Sequence, residues 1–226
     1  MSIGDTASAN AKATWTLTTS VRRNFAVRHL SSAAYFSQLA AQIERENDGK
    51  PLGPFFDEIL AHSTACVMTS VAALEAFANE MFIDHQHCFP DVDGRLFEKL
   101  WSFYEAKPLL EKFQFAMFLR HTPELNRGEN PYQAVNALIE LRNALVHFKP
   151  EWDSERVRHG RIAKLLNGHF EPSRYYPGEP LFPLGWVTSN CTKWAVTSCV
   201  QFITQFEEQA GIDHRLTNIM KRIVVE

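Results

Sequence analysis

Apolar residues recur along most of this chain at three- and four-residue spacing, the period of an amphipathic helix. The clearest stripe is Ile59/Leu60, Ser63, Cys66/Val67, Ser70/Val71, Leu74, Phe77/Ala78 and Met81/Phe82. It predicts a helix over residues 54–87 with Pro54 in its first turn. A helix over 29–47 precedes it and ends before Asn47-Asp48-Gly49. Shorter helices are expected over 94–104 and 108–121, the second opened by Pro108. Asn130 as N-cap and Pro131 at the first helical position start a helix that runs to about His147 and stops before Pro150. Another covers 152–167 and ends at Gly168; residues 169–187, rich in proline and aromatics, read as a long loop. Asn190 caps a final long helix to about Ala210, Gly211 breaks it, and there is room for a short tail helix. Residues 1–28 are Ser/Thr/Ala-rich without helical period and form an N-terminal arm. A short strand over Thr14 to Thr18 and disorder over the first ten residues are its open alternatives. The expectation is an all-α bundle: one domain over 29–226 with its core at 54–167, centred on the helices at 54–87 and 131–147.

Composition narrows the function classes. The 226 residues suffice for a real core, and 45% apolar with 22% charged residues is ordinary for a globular chain. The net charge of −3 leaves no globally basic surface, so nucleic acid would have to be met by a local patch. Cys66, Cys88, Cys191 and Cys199 form no CxxC pair and are expected to be free thiols in a reducing cytosol. No uninterrupted apolar run approaches the ~20 residues of a membrane span. The first residues lack the apolar stretch of a secretory signal. A soluble cytoplasmic protein without a membrane partner is the expectation. P-loop, GxGxxG and GxSxG motifs are all missing, which disfavours the common nucleotide-dependent and serine-hydrolase chemistries.

Chemistry concentrates at the end of the 131–147 helix. Its apolar stripe is Val135, Leu138, Ile139, Leu145 and Val146, and Arg142 projects onto it, with Asn143 and His147 beside it. A buried guanidinium needs a partner, and Glu75, flanking the stripe of the other strong helix, is the available carboxylate. One reading is a structural Arg142–Glu75 pair with a satisfied histidine near a helix C-terminus. The other is an active site in which His147 exchanges a proton, Arg142 stabilises phosphate charge and Asn143 orients a group.

The string Leu141-Arg142-Asn143-Ala144-Leu145-Val146-His147-Phe148 resembles the HEPN signature, and Ser70-Val71-Ala72-Ala73-Leu74-Glu75-Ala76-Phe77-Ala78-Asn79-Glu80 is similar to the preceding core helix of many prokaryotic members. The resemblance covers about residues 54–167. It implies an α-helical bundle that dimerises and brings two motif copies together. It also implies a metal-independent endoribonuclease or an RNA-binding protein, with a toxin or phage-defence role and a cognate antitoxin or regulator as partner. Others of the family serve as scaffolds, so a non-catalytic dimeric interaction module is the alternative. Carried onto this chain, His147 would be the general base or acid for 2′-hydroxyl attack, Arg142 would hold the scissile phosphate, and Asn143 would support orientation, with no cofactor. Residues five apart lie about 140° from one another on a helix. Arg142 and His147 therefore act together only if the helix unwinds or if the site is composite across a dimer seam. The chain is longer than the small toxin members, and its additions at 1–28 and 169–226 would carry specificity or regulation, or would cover the motif.

Two further patterns matter. Arg156, Arg158, Arg161 and Lys164 form a basic run that either meets RNA phosphates or, diluted by Glu151, Asp153 and Glu155, is a solvated face; Arg22, Arg23 and Arg28 form a smaller cluster open to the same two readings. Asp84-His85-Gln86-His87-Cys88, with Asp91 and Asp93, has zinc-binding side chains, but its His-x-His spacing turns the rings about 200° apart, unlike a zinc helix. No metal is assigned. The aromatics Phe103, Tyr104, Phe113, Phe115 and Phe118 read as core.

Overall fold

The computed structural model describes residues 22–212, and its elements are all helical, with no strand among them. In chain order they are α1 (Ala26–Glu46), α2 (Phe55–Ile83), the single turn α3 (His85–Cys88), α4 (Gly94–Tyr104), α5 (Leu109–Leu119) and α6 (Tyr132–Val146). A 3₁₀ turn at Asp153–Glu155, α7 (Val157–Leu166), a π-helical turn at Leu181–Gly185 and α8 (Ser189–Ala210) follow. The expected strand at 14–18 and the tail helix lie outside the described residues.

α1, α2 and α8 pack against one another and form the centre, with α5 and α6 also laid against α2 and α8. The α2 stripe is why: Ile59, Ser63, Cys66, Val67, Ser70, Val71, Leu74, Phe77 and Ala78 are all buried. α2 is long and apolar enough to cross a membrane, yet it is also the helix most surrounded by others, the position of a core helix. Small side chains let α8 come close. Ser37 and Thr192 hydroxyls meet at 2.8 Å, and the Cys66 and Cys199 thiols donate to the carbonyls of Thr192 (3.6 Å) and Ser70 (3.5 Å). Burial pushes the Cys66 thiol up to about 12, and all four cysteines are buried thiols. At the far end of α2, Phe82 stacks with Phe89, Phe97, Trp101 and Phe115. Phe113 and Phe115 are core as expected, whereas Phe103 (59% exposed) and Phe118 (69%) are on the surface.

Several helix ends differ from the pattern. α1 begins at Ala26, inside the segment read as an arm, because the Phe25 and Ala26 N–H groups donate to Glu80 Oε1 on α2 (2.5 and 2.9 Å). The long helix over 54–87 stops at Ile83; Asp84 leaves helical geometry and α3 is a separate turn. Pro131, not Asn130, stands at the N-cap of α6. The final helix is capped by Thr188, whose hydroxyl accepts from Asn190 N–H (3.2 Å), rather than by Asn190 itself. The helix expected over 152–167 is a 3₁₀ turn followed by α7. α7 packs on α6 and on the π-helical turn that interrupts the long loop.

Candidate functional site

α6 carries the motif, and its two sides have different neighbours. Leu141, with Ala134, Val135, Ala137 and Leu138, faces the core. Val146 does not belong to that stripe: it is exposed, while Ile139 and Leu145 pack partly buried against the core. Arg142 turns toward α2, where its Nη2 lies 3.7 Å from Glu75 Oε1. Its side chain is 29% exposed, so the pair is half-buried rather than a core pair, and the buried Arg142 Nε has no hydrogen-bond partner. The same Glu75 meets a second cation: Lys112 Nζ of α5 is 3.7 Å from Oε2. Lys112 also donates to Asn79 Oδ1 (3.4 Å) and lies 5.9 Å from the centre of the Trp101 ring.

Asn143 and His147 face the other way. They line an open cleft of about 320 Å³ between α6 and α7, together with Glu140, Lys149, Arg158 and Arg161. Its floor is Phe148, His159, Ile162 and Phe182, the last from the π-helical turn. His147 is the C-cap of α6: its N–H donates to the Asn143 carbonyl (2.9 Å) while its ring is exposed. The wall beyond it is held by α7. Glu151 accepts from Arg158 N–H (3.1 and 3.0 Å to its two oxygens) and from His159 N–H (2.9 Å), capping that helix with a carboxylate. These backbone bonds, first the one from His159, hold the Glu151 carboxyl below its ordinary range. The His159 ring is buried, 2.9 Å from the Lys149 carbonyl, stacked on Phe148 and edge-on to Phe182.

The basic run thus divides. Arg158 and Arg161 line the cleft, Arg161 with its Nη2 donating to Glu140 Oε2 at 3.4 Å. Arg156 is tied to Glu179 at 2.9 Å and borders a second hollow on the far side of Phe148 and His159, where Glu151 and Glu179 leave no excess of positive charge. Lys164 lines neither hollow. Of the other arginine cluster, Arg22 pairs with Asp84 at 3.4 Å. His85 lies flat on Phe97, with ring centres 4.1 Å apart, and no three His, Cys, Asp or Glu side chains converge on a metal position among the described residues.

Sequence reasoning did not single out Glu140, Lys149, His159, Phe182 or Lys112. Glu140 was within reach, since Glu140, Asn143, Ala144 and His147 stand at i, i+3, i+4 and i+7 on one face. Phe182 comes from the long loop and has no signal in the pattern. No known family model, curated protein or solved structure matches the chain.

Proposed function

We propose that this protein is a HEPN-like, metal-independent endoribonuclease that works as a homodimer in the cytosol. The observation that carries the reading is the cleft in which Asn143 and His147 of α6 meet Arg158 and Arg161 of α7. An exposed imidazole sharing a cleft with two guanidinium groups, Arg161 being paired with Glu140, suits a phosphodiester. In the proposed step His147 takes the proton of a ribose 2′-hydroxyl. O2′ bonds to the adjacent phosphorus, the P–O5′ bond breaks, and O5′ takes a proton from water as it leaves, the resulting hydroxide being neutralised by the proton His147 gives back. The products end in a 2′,3′-cyclic phosphate and a 5′-hydroxyl.

Arg142 lies off this cleft, on Glu75. For it to stabilise the phosphate, a second copy has to bring its own Arg142 to this His147. The surface around the motif favours such a mate: Val146 (52% exposed), Trp152 (79%) and Val157 (79%) are apolar side chains left in solvent within one short stretch. A toxin or defence role, with a regulatory partner, is the biological setting that the resemblance suggests.

The test is incubation of wild type and His147→Ala with mixed RNA in EDTA, with product ends analysed. Cleavage by wild type alone, leaving cyclic phosphate ends, is expected. Equal cleavage by both would remove His147 from the mechanism. A second reading has its own observation: Arg142 bound to Glu75 and not to the cleft is what a structural pair in a non-catalytic interaction module would show. Wild type that never cleaves RNA would favour it.

A further inference from the structure

Glu140 stands at the end of the cleft remote from His147. Seven residues of helix separate the two, about 10 Å along the axis, close to the span of one nucleotide from phosphate to base edge. Of the aromatic side chains in the lining, Phe148 is 49% exposed and packs on the buried His159 and Phe182, with Ile162 also in the lining. Unpaired bases stack on such surfaces, and a cleft of about 320 Å³ has room for one nucleotide rather than for a duplex. The lining also carries three cations, Lys149, Arg158 and Arg161, against the single anion Glu140, on a chain whose net charge is −3. Phosphate is therefore welcome at the His147 end, and the carboxylate at the other end is left to meet something that donates hydrogen bonds.

A carboxylate only accepts. Among the four bases, guanine alone presents two adjacent donors on one edge, N1–H and the 2-amino group, which match the two oxygens of one carboxylate. Adenine and cytosine set an acceptor nitrogen next to their amino donor, and uracil flanks its single N–H with two carbonyls, so each would turn a lone pair toward Glu140. Arg161 donates to Oε2 at 3.4 Å from across the cleft.

We propose that the α6–α7 cleft is a guanine subsite, in which Glu140 reads the base edge, the exposed Phe148 holds the ring, and the nucleotide's 3′-phosphate reaches His147 and Arg158. This rests on the ribonuclease reading above and adds a specificity to it: cleavage on the 3′ side of guanosine.

The experiment measures binding of the four nucleoside 3′-monophosphates to the wild-type protein by calorimetry, with Glu140→Gln and Phe148→Ala beside it, and maps cleavage sites in a mixed-sequence RNA. Guanosine 3′-monophosphate should bind about tenfold or more tightly than the other three, the discrimination of a good bidentate base contact. Glu140→Gln should abolish that preference, and Phe148→Ala should weaken all four alike. Four equal affinities, or none detectable, overturn the subsite. Cleavage without base preference overturns it too, and leaves the ribonuclease reading standing. Guanine-selective binding that depends on Glu140, in a protein that cleaves no RNA, keeps the subsite and removes the ribonuclease.

Discussion

Lys112 sits in the middle of the most apolar short helix of the chain, among Leu109, Phe113, Phe115 and Ala116, and its side chain is only 8% exposed. An ammonium so placed is stable only with a counter-charge, and Glu75 supplies it while also holding Arg142 through its other oxygen. Two cations thus depend on one carboxylate, and the loss of Glu75 is worse than the loss of either cation. Glu75→Gln should lower stability by about 2–3 kcal/mol, since it strands a buried charge. Lys112→Met, which keeps the stem and removes the charge, should fall within about 1 kcal/mol of wild type or exceed it. Chemical denaturation of the two variants checks this. Equal losses in both would mean that the shape of the cluster, not its charge, is what the fold needs.

At the scale of elements, the sequence pattern locates the helices well and the first turns of α1, α7 and α8 less well, and the cause is physical. The stripe of α2 is a property of consecutive residues, so Ile59 through Phe82 can be placed on one face without knowing what covers it. Three helix starts, those of α1, α7 and α8, depend on carboxylates outside the helix, whereas α4 is capped by its adjacent Asp93. Glu80 of α2 caps α1, Glu44 of α1 accepts from the Ser189 N–H (3.0 Å) and hydroxyl at the start of α8, and Glu151 caps α7. Two of those partners are 54 and 145 residues away, beyond any local signature, and the third is separated from its helix by a 3₁₀ turn. The motif divides in the same way. Asn143 and His147 share a face by spacing alone, and the i+5 offset already separates Arg142 from His147. The aromatic floor depends on a loop that folds back and could not be read. Glu151 makes its cap testable. Its folded pKa is depressed, so its contribution is complete above the unfolded value near 4.5 and is lost as pH falls through the lower folded value. Wild type should therefore be more stable than Glu151→Gln at neutral pH, and the two melting curves should converge in acid well below pH ~4. A gap between them that persists at the lowest pH would assign the effect to something other than the charged cap.

For the whole molecule, the decisive relation is that between the two sides of α6. His147 opens into the α7 cleft, while Arg142 leans on Glu75 toward α2, and no rotation of side chains on a regular helix cancels the 140° between them. If both act on one phosphate, they come from different copies, and the exposed Val146, Trp152 and Val157 are where a two-fold mate would sit. This arrangement predicts complementation. Arg142→Ala and His147→Ala should each be inactive as homodimers. Unfolded or dissociated together and reassembled in equal amounts, about half of the dimers carry one chain of each kind. In those, one of the two composite sites pairs the intact Arg142 of one chain with the intact His147 of the other. The mixture should therefore recover about a quarter of wild-type RNA cleavage, as the two-fold symmetry of the interface dictates. Adding Trp152→Asp to both chains should abolish the recovery and leave monomers by light scattering, since a charge at so exposed an apolar position disfavours burial against a mate. No recovery from a mixture proven to contain mixed dimers would place both side chains in service of the same copy and remove the composite site.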